Sequence, residues 1–455
     1  MRLKQRPGDF QVREDFHFTP AEQGEHYVHV LTKEKIDTLT ALARVAHVAG
    51  VPRTAIAFAG LKDRQGITEQ WISLPGLKVQ IDEPGLQVRY VGRSDQAVTS
   101  KQNQGNHFVI VVRDLTPGDA GRLRRNLPSL QKGGLPNYFD DQRFGCLKHG
   151  QGFIVAELLR GRAEKALKGL IATPSAEAEG GDVALKRILS QHWGDWEACR
   201  SIARGPLFRP IFDHLIKRPR DFPGAIAKVT QRLKLIHLYA FQSFLWNRAV
   251  SRYLERFIPE RERVKLHTLC GDLWAWRYLP QDKPDLLLSA ELPLVAANTE
   301  FKDRMFRAMT LDVLHDGGMS LPKLAGTEVA GMVFKEELRP LVLKPLDLRI
   351  GPAQPDEQNK GRSKVQLEFS LPRGAYATLV IKRLFADPPR ARSDGDYARR
   401  DAPAARPRAY PERRVGAAPR RPSRPRPPDP PRLPNPFRKK VRSEPAPKPP
   451  APAEE

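Results

Sequence analysis

Strand-patterned segments stand at both ends of the first 386 residues, and helix-patterned segments fill the stretch between them. DFQVREDF (9–16) alternates apolar and polar residues, and HFVIVVRDL (107–115) is a β-branched run. Both read as strands. RPLVLKPLDLRI and KVQLEFSLP return to the strand pattern close to residue 386. Between these ends, GQGFIVAELLRGRAEKALKGL opens a helical region, and residues 228–257 read as one long helix or a broken pair with a wide apolar face. A sheet with its strands so far apart in sequence must be assembled from distant parts of the chain. The pattern therefore predicts a discontinuous α+β core interrupted by a helical insertion. Smaller elements fit the same plan. EKIDTLTALARVAHV (34–48) has helical spacing and ends near Gly50 and Pro52, and DAGRLRRNLPSL reads as a second helix. AIAFAG and TEQWISLPG read as strands, and GGLPNYFDDQRFG (133–145) as a Gly/Pro-rich loop.

The formal net charge of the 455 residues is +24. Residues 387–455 hold 18 Lys+Arg, 9 Asp+Glu and 19 of the 42 prolines, so well over half of the excess belongs to residues 1–386. A globular part with this excess is built to meet a polyanion, most often nucleic acid. The Arg/Pro-rich tail 387–455 cannot bury enough apolar surface to offset its ordering entropy and is expected to be disordered. No run of 18 apolar residues suggests a membrane span, and no apolar stretch follows the basic start MRLKQRPGDF. Cys146, Cys199 and Cys270 are too few and scattered for a disulfide framework or a zinc site. A monomeric cytoplasmic protein without a metal is the expectation.

Two loops could carry chemistry. In AFAGLKDRQGITEQWISLPG (57–76), Lys62 and Asp63 stand between two strand-like runs, just after Ala59 and Gly60. An aspartate there can be a turn residue that caps its own backbone. The glycine, though, lets a ligand approach the backbone, and the adjacent Lys62 would keep a partly buried carboxylate ionised, fit to act as nucleophile or general base. In PNYFDDQRFG, Asn137, Tyr138, Phe139 and Phe144 gather near Arg143. They make either a platform for stacking an unpaired base or buried anchors of the loop. Lys4 taken alone is a solvated charge. Glu25, His26 and His29 in GEHYVHV do not converge on a metal if they lie in a strand. Gln242 and Asn247 in QSFLWN read as hydrogen-bonding groups inside a helix core.

Together these segments resemble one family. AGLKDRQGITEQ (59–70) is similar to the signature AG-x-KD-x-x-x-x-T-x-Q of the TruD family of tRNA pseudouridine synthases, matching at Ala59, Gly60, Lys62, Asp63, Thr68 and Gln70. PNYFDDQRFG resembles its NYFG-x-QRFG motif, with Asp140 where the family has glycine. LKQRPGDFQVRE resembles K-x-x-PEDF-x-V-x-E, with Gly8 replacing the glutamate. NQGNHFVIVVRDL, AFQSFLWN, CGDLW and LPRGAYATLVIKRL follow in the family's order, so the resemblance spans residues 1 to about 386. It implies a pseudouridine synthase catalytic domain, α+β around a mixed, largely antiparallel sheet. That domain would be formed by 1–160 and 339–386, with a TRUD insertion domain at 161–338 making a cleft with it. It implies an enzyme that isomerises uridine to pseudouridine without a cofactor, with tRNA as partner. Position 13, typically of glutamate tRNA, would be the target. Asp63 matches the catalytic carboxylate, Phe139 the residue that stacks on the target base, and Asn137 a neighbour that helps hold the aspartate loop. Lys4 matches a basic residue near that carboxylate, and Lys62 belongs to the substrate-binding set. A protein that only binds or folds tRNA, or a synthase with broader RNA targets, are the alternatives. Retention of Asp63 and its loop speaks against the first.

Overall fold

The alternation of residues 9–16 becomes strand β1 (Phe10–Phe16), which turns Phe10, Val12 and Glu14 to one buried face. The computed structural model describes residues 1–147, 152–174, 181–280 and 284–387, all of them within one compact unit, Met1–Arg400. Apart from Asp387, the predicted tail lies outside the described residues.

After β1 come β2 (His26–Glu34), β3 (Ala57–Phe58), β4 (Ile67–Pro75), β5 (Ile81–Glu83), β6 (Leu86–Ser94) and β7 (Asn103–Leu115). They join strands Leu346–Ile350, Gln354–Pro355 and Ser363–Pro372 in one ten-stranded sheet. Its main path runs from Leu346–Ile350 through Ser363–Pro372, β7, β1, β4, β2 and β6 to β5. Within it β1 and β4 pair in parallel, from Gln11↔Ile67 to Arg13↔Glu69, and every other pairing is antiparallel. The sheet is therefore mixed and largely antiparallel, with strands from both ends of the chain as the patterning requires. The long β7 runs along Ser363–Pro372, and Gly105 lies there because a Cβ would come within 2.4 Å of the Leu371 carbonyl oxygen.

The helices form where spacing and caps agree. Helix α1 (Thr38–Ala49) starts at Asp37, whose side chain accepts from the Thr40 amide, and stops at Gly50 in the left-handed conformation. Helix α2 (Pro117–Gly133) opens with a Thr116–Asp119 capping box, runs through Pro128 as its sequence pattern does, and ends three residues beyond that pattern. Residues 228–257 resolve into a single unbroken helix, Gln231–Phe257, with Leu238, Phe241, Leu245 and Trp246 buried. The core is continuous from sheet residues Ile110, Leu367 and Phe369 to helix residues Leu238, Trp246 and Leu314. A second cluster packs Leu42 and Val45 of α1 on Leu31, Ile72 and Val88. The predicted loop at 133–145 contains a short strand, Leu135–Pro136, paired with Val342–Leu343, and leads into a 3-10 turn, Asp141–Leu147. Among the described residues no helix is long and apolar enough to cross a membrane.

One buried cation fastens the amino terminus. Arg113 of β7 donates to Asp9 at 2.8 Å, Asp356 at 2.9 Å and Glu357 at 3.0 Å. Its backbone exchanges two hydrogen bonds with Arg2, at 2.8 and 2.9 Å. Residues 2–9 are thereby clamped at both ends, with Lys4 between the clamps.

His29 is neutral and structural. Its Nδ1 donates to the Tyr27 carbonyl and its Nε2 accepts from the Val79 amide at 3.0 Å. Burial pushes it down to about 4 from an ordinary 6.5, against the Tyr27 hydrogen bond, which favours the proton. The unfolded chain takes up this proton near pH 6.5 and the folded chain only near 4. Stability is complete above 6.5 and falls as the pH drops to 4, by about 3 kcal/mol from this group. Denaturant unfolding at pH 7, 5.5 and 4 should show that loss, and His29→Gln should remove most of its pH dependence.

Candidate active site

The loop 59–66 between β3 and β4 carries Asp63, and buried polar groups hold the loop by its backbone. Lys62 N donates to Thr38 Oγ1 at 2.9 Å, Thr38 donates in turn to Gln70 Oε1, and Gln70 Nε2 reaches the Gly60 carbonyl. Lys33 Nζ donates to the backbone carbonyl of Asp63 itself at 2.7 Å. Lys33 is 1% exposed, and burial lowers it to about 8 despite the opposing pull of Asp63 and Asp37. At the loop's far end a Cβ on Gly66 would lie 2.3 Å from the Phe10 carbonyl oxygen, so only glycine lets the chain enter β4 beside β1.

The side chain of Asp63 is then met from two remote segments. Lys4 Nζ lies 2.5 Å from Oδ2, and Gln142 Nε2 donates to Oδ1 at 2.8 Å. Each oxygen thus has its own donor, and both Lys4 and Asp63 keep about a fifth of their side-chain surface open. Lys4 sits in the left-handed backbone region at φ 58° and lays its ammonium over the Phe10 ring at 3.9 Å. The clamps on residues 2–9 sustain this placement.

The structure sorts the sequence candidates. Lys4 and Asp63 meet directly. Lys62 is a correction: it does not turn to the adjacent carboxylate. Its ammonium lies 2.8 Å from Glu14 Oε1 and donates to Asn106 Oδ1 at 2.8 Å, because the fully buried Glu14 demands a cation. Asn137 also differs from expectation. Its hydrogen bonds go to Pro340, Leu341 and Arg339, so it fastens the strand Glu337–Pro340 and not the aspartate loop.

Phe139 is the buried anchor of its loop. It is 4% exposed, Asn247 exchanges two hydrogen bonds with its backbone, and the Arg339 guanidinium lies 4.0 Å from its ring centre. The Arg339 donors go to Asn137 and Gly374, and burial lowers the guanidinium to about 10. Asp140 is not among the residues with positive φ, so its loop does without the family's glycine. It accepts from the Thr378 hydroxyl and from Lys382 Nζ at 2.6 Å, joining its loop to the helix Ala377–Leu384. Gln242 and Asn247 do hydrogen-bond inside the core, as their spacing implied.

Sequence reasoning gave no role to Gln142, Lys33, Arg339, Asn106 or Tyr376. Lys33 left a signal, a cation sharing the strand face of His29 and Leu31. Gln142 and Asn106 stood unremarked inside quoted motifs.

Hollows open on both sides of Asp63. One, about 190 Å³, has a floor of Phe10, Val12, Asn106 and Phe108 from β1 and β7, with Tyr376 on its wall and Asp63 at its edge. A second, about 480 Å³, runs past Lys4, Arg64 and Lys382 and past Asp140 and Asp141, so its charges balance. A third, about 510 Å³, gathers Lys4, Arg6, Lys35 and Arg64. An anionic chain can follow the cationic hollow at Lys4, Arg6, Lys35 and Arg64 and deliver one flat group onto the floor of Phe10, Val12 and Phe108. Among the described residues no group of three or more His, Cys, Asp or Glu could hold a metal ion.

Comparison with known proteins places the chain in a family. The family described as tRNA pseudouridine synthase D (TruD) matches residues 1–274 and 285–384. A Methanocaldococcus jannaschii protein named probable tRNA pseudouridine synthase D 2 is 32% identical over 391 residues, 85% of this chain and 92% of its own. The tRNA pseudouridine synthase D of Aquifex aeolicus is 28% identical over 393 residues, 85% and 98% of the two chains. A solved Methanosarcina mazei structure described as a putative tRNA pseudouridine synthase D superposes with a TM-score of 0.65 at 26% identity, covering 84% of this chain and 93% of that one. The chain belongs to the TruD family of tRNA pseudouridine synthases, isomerases that convert uridine to pseudouridine.

Proposed function

We propose that this protein isomerises a uridine of tRNA, at position 13 and typically in glutamate tRNA, with Asp63 as the catalytic carboxylate. The observation that carries the reading is the placement of Asp63. Its two oxygens are held by Lys4 and Gln142, and it lines a hollow floored by Phe10, Val12 and Phe108, with a cationic hollow at Lys4, Arg6, Lys35 and Arg64 close by.

The reaction breaks the bond from ribose C1′ to uracil N1 and forms one from C1′ to C5. N1 gains a proton and C5 loses one, so atoms and electrons balance without a cofactor. Asp63 either attacks the nucleoside or assists cleavage of the glycosidic bond, and in both cases the base must turn before it rejoins the sugar. The Lys4 ammonium and the Gln142 amide nitrogen both donate, so they keep the carboxylate oxygens aimed while the base turns. The apolar floor compensates the base for the stacking it loses on leaving the RNA. We further propose that residues 161–338 form the insertion domain, and that the protein works as a monomer in the cytoplasm.

Phe139 acts in this reading as a support. Its edge meets Trp246 at 5.8 Å and Tyr376 at 6.2 Å, and Tyr376 is the aromatic that lines the hollow.

Asp63→Asn should abolish pseudouridine formation in a tRNA assay while tRNA affinity stays within about twofold; turnover persisting in that variant overturns the assignment. Phe139→Ala should cost roughly 3–5 kcal/mol in denaturant unfolding, the range for emptying a buried aromatic site. An open stacking platform would leave stability unchanged and slow only the reaction.

A further inference from the structure

We infer that Asn106 recognises the target pyrimidine by donating its amide N–H to a ring carbonyl. This inference rests on the proposed function and adds the residue that reads the base.

Asn106 is fixed by its neighbours. It stands opposite Glu14 in the β1–β7 register, on the same sheet face as Val12 and Phe108, which pair beside it. Lys62 reaches in from the Asp63 loop and touches both partners at 2.8 Å. An ammonium has only donors to offer. The Asn106 oxygen must therefore face Lys62, which turns the amide nitrogen away from it. Glu14, with no exposed side-chain surface, keeps Lys62 in place, so the amide cannot flip without leaving an ammonium and a carboxamide NH2 facing each other.

The residue lies on the floor of the 190 Å³ hollow shared with Asp63 and Tyr376. Among the described residues its nitrogen has no hydrogen-bond acceptor, although the rest of the floor is apolar. Lys4 and Gln142 are engaged by Asp63, Lys62 by Glu14 and Asn106, and Thr378 by Asp140, so the Asn106 amide, set among Phe10, Val12 and Phe108, is an oriented donor that suits a flat ring carrying a carbonyl. Uracil offers two, at C2 and C4, whereas cytosine places an amino donor at C4, which this amide repels. Lys62 is thus a positioning residue: it sets the direction of the amide and leaves the carboxylate to Lys4.

The test measures kcat/KM on tRNA transcripts whose target uridine is intact or replaced by 2-thiouridine or 4-thiouridine, with the full-length protein and its Asn106→Asp and Asn106→Ala variants. Sulfur accepts hydrogen bonds weakly. The wild type should prefer uridine over one of the two thio bases, by roughly tenfold for the loss of one hydrogen bond. Both variants should be slower on uridine by roughly ten- to a hundredfold and should have lost that preference, with melting temperature and tRNA affinity unchanged. If wild type and variants discriminate the thio bases equally, or not at all, Asn106 does not touch the base and the inference falls. A wild type that makes no pseudouridine in any tRNA overturns the proposed function instead, and this inference with it.

Discussion

A buried guanidinium ties the amino-terminal and carboxy-terminal parts of the ten-stranded sheet together. Arg113 is 4% exposed, and such a charge is tolerable only when opposite charges and hydrogen bonds surround it. Asp9, Asp356 and Glu357 meet that demand, and they come from opposite ends of the described chain. Satisfying one cation in β7 thus draws the amino-terminal segment and the turn before Ser363–Pro372 onto the same strand. Lys4 reaches Asp63 because that segment is fixed on either side of it. A free amino terminus could not hold a lysine in the left-handed region with any constancy.

Much of the architecture was legible in the sequence because sheet and helix periodicities differ. The β-branched run at 107–115 and the alternation at 9–16 became adjacent strands, and the helix-patterned centre stayed helical. The ends of elements were less legible. α2 begins two residues before and ends three residues after the segment that reads as helix, and it carries Pro128 because packing on the helix Ala377–Leu384 and the sheet outweighs one lost hydrogen bond. The strand Leu135–Pro136 could not be foreseen, since its partner lies about two hundred residues away.

The site shows the same division. The Asp63 loop and Lys4 could be named from motifs, but which cation touches the carboxylate could not. Adjacency in sequence pointed to Lys62, yet neighbouring residues in an extended loop send their side chains to opposite sides. The buried Glu14 settled which way Lys62 faces. Phe139 was equally ambiguous, because a ring in a Gly/Pro-rich loop has the same local signal whether it faces a ligand or the core. Arg339, from a distant strand, decided that it is covered.

That covering has a consequence for how RNA and protein share surface. A guanidinium at 4.0 Å over the Phe139 ring is itself a flat, π-seeking group, anchored through Asn137 and Gly374. A nucleobase arriving there would compete with it as one tenant with another, and would gain only the difference between two similar contacts. Tyr376, half-buried, lines the hollow beside Asp63 instead. Residues 137 and 374 therefore govern how firmly that guanidinium covers the ring, and the contact is set by its anchors as much as by the ring itself.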